Sequence, residues 1–101
     1  MGAKSRRKGA AAEREVVNIL RAAGLEAERR APMQASIDAE DPDVFAPAIG
    51  RVEIKRRARG FTVLYTALAN ADAAIVRDDR GEWLIVEPLR SFIERRARNG
   101  Q

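Results

Sequence analysis

Glu53-Ile54-Lys55 places a carboxylate and an ammonium two residues apart in the segment Arg51–Arg56. Side chains of a strand alternate between faces, so Val52 and Ile54 turn to a core while Glu53 and Lys55 emerge together. Such a pair can hold a metal ion and position a water beside it, although the same spacing also occurs on ordinary salt-bridged strand faces. Pro42-Asp43 opens the preceding extended segment. If the two segments pair through a tight turn at Ile49-Gly50, facing residues have numbers that total about ninety-nine or a little less. Asp43 then falls near Glu53 or Lys55, within reach of the same cation. Asp38, Glu40 and Asp41 are nearby alternatives for that acid.

A third carboxylate comes from helix geometry. At about 100° per residue, Val17 lies roughly 40° from Glu13, and Leu20 about 20° on its other side. Glu13 therefore sits inside the apolar stripe of its own helix, whereas Glu15 falls on the polar side. A carboxylate facing a core needs a partner; a metal site or a nearby arginine would supply one, and a frayed first turn would leave it in water.

The chain has no histidine and no cysteine. That excludes imidazole and thiolate zinc sites, Ser–His and Cys–His nucleophiles, and nucleases that rely on a histidine base. Chemistry here must run on carboxylates, lysine and an oxygen-preferring cation, which means Mg²⁺ or Mn²⁺. The net charge of +4 is unevenly spread. Residues 1–30 carry eight Lys/Arg against four Glu, residues 31–50 carry four acids and no base, and residues 51–60 carry five bases against Glu53 alone. Basic blocks attract phosphate, and an acidic block between them fits only if its carboxylates hold a cation.

These residues need elements to position them. The periodicity of Ala12, Val16, Ile19, Leu20 and Ala23 predicts a helix from about Arg7 to Ala23, ended by Gly24. Strands are expected over Leu25–Arg30, Asp43–Ala48, Arg51–Arg56, Ala73–Arg77 and Glu82–Glu87, with a loop over Ala31–Pro42 and a hairpin turn at Asp78-Asp79-Arg80-Gly81. Further helices are expected over Thr62–Ala69 and from Pro88 to about Arg98. The 101 residues suit one domain, expected to span 1–101 with 1–6 a flexible basic N-terminus and 99–101 a flexible tail. The fold class is α/β: a single-domain mixed β-sheet flanked by helices. No run approaches the roughly 20 apolar residues of a membrane helix, and no apolar leader is visible, so an intracellular protein is expected.

Pro42-Asp43 followed by Glu53-Ile54-Lys55 resembles the PD-(D/E)xK nuclease core, whose element order is similar to the one read above. The run Arg7-Lys8-Gly9-Ala10-Ala11-Ala12-Glu13-Arg14-Glu15, then Leu20, Gly24-Leu25 and Arg29, is similar to the start of archaeal-type Holliday junction resolvases. The resemblance is dense over residues 7–59. It implies a restriction-endonuclease-like core and a divalent-metal-dependent endonuclease acting on branched or four-way-junction DNA as a homodimer. It also implies that Glu13, Asp43, Glu53 and Lys55 are catalytic, with Asp43, Glu53 and Glu13 as metal ligands. Lys8, Arg14, Arg29, Arg30, Arg56, Arg57 and Arg59 are the expected DNA contacts. Two alternatives share these features: a non-catalytic DNA-binding protein on the same fold, and a restriction- or repair-type nuclease with another DNA target. A phage- or prophage-borne relative would carry the same pattern.

Overall fold

The computed structural model describes residues 2–30 and 43–99. Eight elements follow one another: α1 (Gly2–Ala22), β1 (Glu28–Arg29), β2 (Val44–Ala46), β3 (Gly50–Val52), α2 (Thr62–Leu68), β4 (Ala74–Val76), β5 (Leu84–Val86) and α3 (Leu89–Asn99). The class is α/β, as expected. The strands form two antiparallel sheets, β1-β2-β3 and β4-β5, instead of one mixed sheet. Each pairing joins consecutive strands, and short connections such as 47–49 leave no room for the crossover a parallel pair needs. The chain divides into two compact units, Met1–Arg56 and Arg57–Gln101.

In the first unit α1 starts at Gly2 rather than near Arg7, so it takes in the residues expected as a flexible basic N-terminus. Nothing between Ala3 and Lys8 opposes helix: there is no proline, and these are mostly good helix formers. Its far end is closed by Gly24 at φ +88°, a conformation that side-chain-bearing residues adopt at a cost. The Gly24 N–H reaches Arg21 O at 2.9 Å and the Leu25 N–H reaches Leu20 O at 2.9 Å. This paired arrangement satisfies carbonyls that a helix end leaves open.

Ala12, Val17 and Leu20 of α1 are buried, as are Ala27, Val44 and Ala46. Of the apolar positions read from the periodicity, Ile19 and Ala23 are exposed, so the buried stripe is the Ala12, Val17 and Leu20 side of the helix. β1 is shorter than the expected Leu25–Arg30, because the chain before it is committed elsewhere. Leu25 belongs to the helix cap, and Ala27 O accepts Arg21 Nε at 2.9 Å. β2 and β3 are joined by residues 47–49, where the Ile49 N–H closes on Ala46 O at 2.8 Å and Gly50 takes φ +112°.

In the second unit β4 and β5 pair Ala74 with Val86, Ile75 with Ile85 and Val76 with Leu84. The expected turn is there: the Gly81 N–H reaches Asp78 O at 3.0 Å. Pro88 sits just before α3, its carbonyl accepting the Ser91 N–H at 2.9 Å. Arg95 of α3 grips Glu87 with two bonds of 2.8 and 2.7 Å. Asn99, expected in a flexible tail, is the last residue of α3; residues 100–101 lie outside the described residues. Among the described residues no helix is long and apolar enough to cross a membrane.

Candidate active site

The β2–β3 hairpin builds the site. It pairs Val44 with Val52, Phe45 with Arg51 and Ala46 with Gly50, so paired numbers total 96. One step beyond the last pair stand Asp43 and Glu53. Asp43 is pinned from both neighbouring strands: its Oδ2 accepts the Ile54 N–H at 2.9 Å, and its carbonyl accepts the Arg30 N–H at 3.0 Å. β3 ends at Val52, and the Asp43 carboxylate gives the Ile54 N–H beyond it a hydrogen-bond partner.

Glu53 and Lys55 project together. Lys55 Nζ lies 3.5 Å from Glu53 Oε2, with side chains 62% and 55% exposed respectively. An ion pair that open to water is worth about 0–1 kcal/mol, so it leaves both groups free to engage a cation or a phosphate. Val52 and Ile54, between and beside them, are half-buried.

Glu13 is held differently. Its side chain is 19% exposed, and its Oε1 accepts Arg29 Nε at 3.0 Å. Arg29 pairs with Val44 in the β1–β2 ladder, and Val44 is fully buried, so both residues belong to the sheet face that meets α1. Of the partners open to Glu13 on sequence grounds, the structure supplies the arginine. Among the described residues no group of three or more acidic side chains gathers as a cation cage. Asp38, Glu40 and Asp41 lie outside the described residues. The donor set at Asp43 and Glu53 is all carboxylate oxygen, which suits a hard cation that keeps several of its own waters.

The expected DNA contacts fall at several places. Lys8 and Arg14 are exposed on α1, and Arg56 is exposed beyond the Lys55 segment. The Arg30 guanidinium lies over the Phe45 ring, 5.2 Å from its centroid. In the second unit Arg57 lies over Phe61 at 5.5 Å, and Arg59 is exposed. The sequence reading missed Arg51 as a contact candidate. It is exposed and stands directly across from Phe45, on the face where Arg30 covers that ring. The signal for it was the alternation of Arg51 with Val52, which sends Arg51 outward.

Paired carboxylates and a lysine on a hairpin, with exposed arginines on the same unit of an α/β fold, have the make-up of an enzyme that works on nucleic acid. The chain matches the archaeal Holliday junction resolvase (Hjc) family over residues 4–67, more than half its length, and belongs to that family. No curated protein and no solved structure matches it. Membership makes the protein a DNA-binding nuclease of the Holliday junction resolvase kind, a class that serves recombination and repair.

Proposed function

We propose that this protein is a divalent-cation-dependent endonuclease that nicks the phosphodiester backbone of four-way DNA junctions, working as a homodimer inside the cell. The observation that carries this reading is the β2–β3 ladder ending on Val44–Val52, with Asp43 and Glu53 the next residue on each strand, Asp43 bonded to the Ile54 N–H and Lys55 Nζ beside Glu53. Asp43 and Glu53 would hold Mg²⁺ or Mn²⁺, and Glu13, which does not gather with them among the described residues, would act through a water. When bound, such a cation supplies Lewis acidity and neutralises charge developing on the phosphate.

The chain's own residues then have distinct tasks. Lys55 donates from Nζ to a phosphate oxygen beside the attacking water; as the water's oxygen bonds to phosphorus and the bond to one ester oxygen breaks, the water's proton passes to solvent and the leaving oxygen takes one from solvent. Asp43 keeps one carboxylate oxygen on the Ile54 N–H, which holds the segment bearing Glu53 and Lys55 against β2. Lys8, Arg14, Arg30, Arg51, Arg56, Arg57 and Arg59 contact backbone phosphates. A dimer fits a junction because a four-way junction presents two equivalent strands to be nicked. On this reading residues 1–101 form one nuclease domain, which is supported by a family match that extends from residue 4 past Arg56 to residue 67.

The test is cleavage of four-way junctions, flaps and linear duplex by the purified chain with Mg²⁺ or Mn²⁺, alongside a Mn²⁺ titration. Preferential nicking of the junction and a saturable Mn²⁺ site are expected. Binding of DNA without cleavage and without a saturable site would identify a non-catalytic binder instead. Preferential cutting of linear duplex would assign a restriction-type target.

A further inference from the structure

We infer that Arg29 is a positioning residue for Glu13: it holds the carboxylate through Nε while its two terminal nitrogens take a DNA phosphate. One guanidinium would thereby set both the grip on DNA and the placement of Glu13. The inference rests on the proposed part of Glu13 in cleavage. Resemblance alone made Arg29 a DNA contact; the structure finds it already committed, at 3.0 Å, to the helix carboxylate.

The geometry of that commitment matters. Arginine presents five N–H donors in a planar fork, and among the described residues only Nε of Arg29 is used. Both terminal nitrogens are open among the described residues, on a side chain that is 39% exposed. Glu13 likewise accepts through Oε1, and among the described residues its Oε2 has no partner. A carboxylate beside buried Val17 and Leu20 needs a compensating charge, and Arg29 supplies it without closing the group off.

Arg29 also sits at the right end of the hairpin. It pairs with Val44, the residue after Asp43, and its chain neighbour Arg30 donates its N–H to Asp43 O. Arg29 thus links the helix acid to the strand that begins at the hairpin acid. Lysine could provide the charge but not a planar fork that faces two anions at once.

A double-mutant cycle on the full chain tests this, using single-turnover cleavage of a labelled four-way junction and a separate measurement of its Kd. Glu13→Gln should slow cleavage by about a hundredfold or more, with Kd close to wild type. Arg29→Lys should slow it by about 10–100-fold while Kd changes by no more than about threefold. The double variant should be no slower than Glu13→Gln alone, because both changes remove the same contribution. Arg29→Gln, which removes the charge, is the second variant: it should slow cleavage as Arg29→Lys does and also raise Kd by several-fold, and an unchanged Kd would overturn the phosphate contact. Rate losses that multiply in the double variant, or an Arg29→Lys effect confined to Kd, would overturn the inference and leave the catalytic reading of Glu13 intact. Wild-type cleavage by Glu13→Gln would overturn both.

Discussion

Asp43 accepts the backbone N–H of Ile54 through Oδ2 at 2.9 Å, bridging residues eleven apart in the chain. The bond runs from the residue just before β2 to the residue between Glu53 and Lys55. The ladder itself stops at Val44 and Val52, and this side chain extends the register by one more rung. The same carboxylate thus holds the segment that carries Glu53 and Lys55 with one oxygen, Oδ2.

Separating those two tasks is possible because asparagine keeps an acceptor without the charge. Asp43→Asn should fold like wild type and lose cleavage. Asp43→Ala should lose cleavage and also leave the Ile54 N–H without its partner, a cost of about 1–3 kcal/mol. In a domain of this size that corresponds to a fall in Tm of about 4–8 °C for each kcal/mol. Calorimetry on both variants checks it, and equal Tm values would mean that the bond does not hold the hairpin.

Two glycines of the first unit should respond with opposite signs. Neither Gly9 nor Gly24 has a neighbour within 4 Å of an added Cβ, so backbone conformation alone decides. Gly9 lies inside α1, where alanine is favoured by about 0.5–1 kcal/mol. Gly24 has φ +88°, and alanine there should cost about 1 kcal/mol. Urea unfolding of Gly9→Ala and Gly24→Ala should therefore move the midpoint up and down respectively.

A pH effect is expected in the second unit. Hydrogen bonding from Arg95, reinforced by its positive charge and opposed by partial burial, holds the Glu87 carboxyl below its usual range. With a lowered folded-state pKa, the unfolded chain binds the proton first, so the pair's stabilisation is complete at neutral pH and lost in acid. The Tm gap between wild type and Glu87→Gln should shrink as pH falls from about 7 through the ordinary carboxylate range near 4. A gap that stays constant across that range would show that the pair contributes nothing to folding.

Local signals were legible in the sequence, and non-local ones were not. Gly24 announced the end of α1, and Asp78–Gly81 announced the β4–β5 turn, because both depend on a few adjacent residues. The apolar stripe around Glu13 announced a carboxylate that needed a partner. It could not say that the partner would be Arg29, sixteen residues on, since that depends on how α1 packs against the sheet. Strand lengths were overestimated for a related reason: alternation extends as far as composition allows, whereas a ladder extends only as far as its partner strand. The single mixed sheet was an inference about pairing between distant strands, for which local patterning holds no information. Arg51 escaped notice because its role depends on standing across from Phe45.

DNA binding should weaken steeply with salt. Neutralising about six phosphates predicts a log–log slope near −5, and removing one contact should reduce it by about one. Arg51→Ala and Arg56→Ala should each do so without altering the cleavage rate at saturating protein. A slope near zero would remove the arginine-rich segments from the DNA surface.

Cleavage by Glu53→Gln under single-turnover conditions tests the central claim most directly. Glu53 is more than half exposed, and its one ion-pair contact among the described residues, with Lys55, is 3.5 Å long, so glutamine should leave the fold undisturbed. With Mg²⁺ or Mn²⁺ present, wild type should nick a four-way junction. Glu53→Gln should bind the same junction as tightly or more tightly, because negative charge has left the phosphate path, yet cut it at least about a hundredfold more slowly. Wild-type cutting by this variant would contradict a site built on Asp43, Glu53 and Lys55.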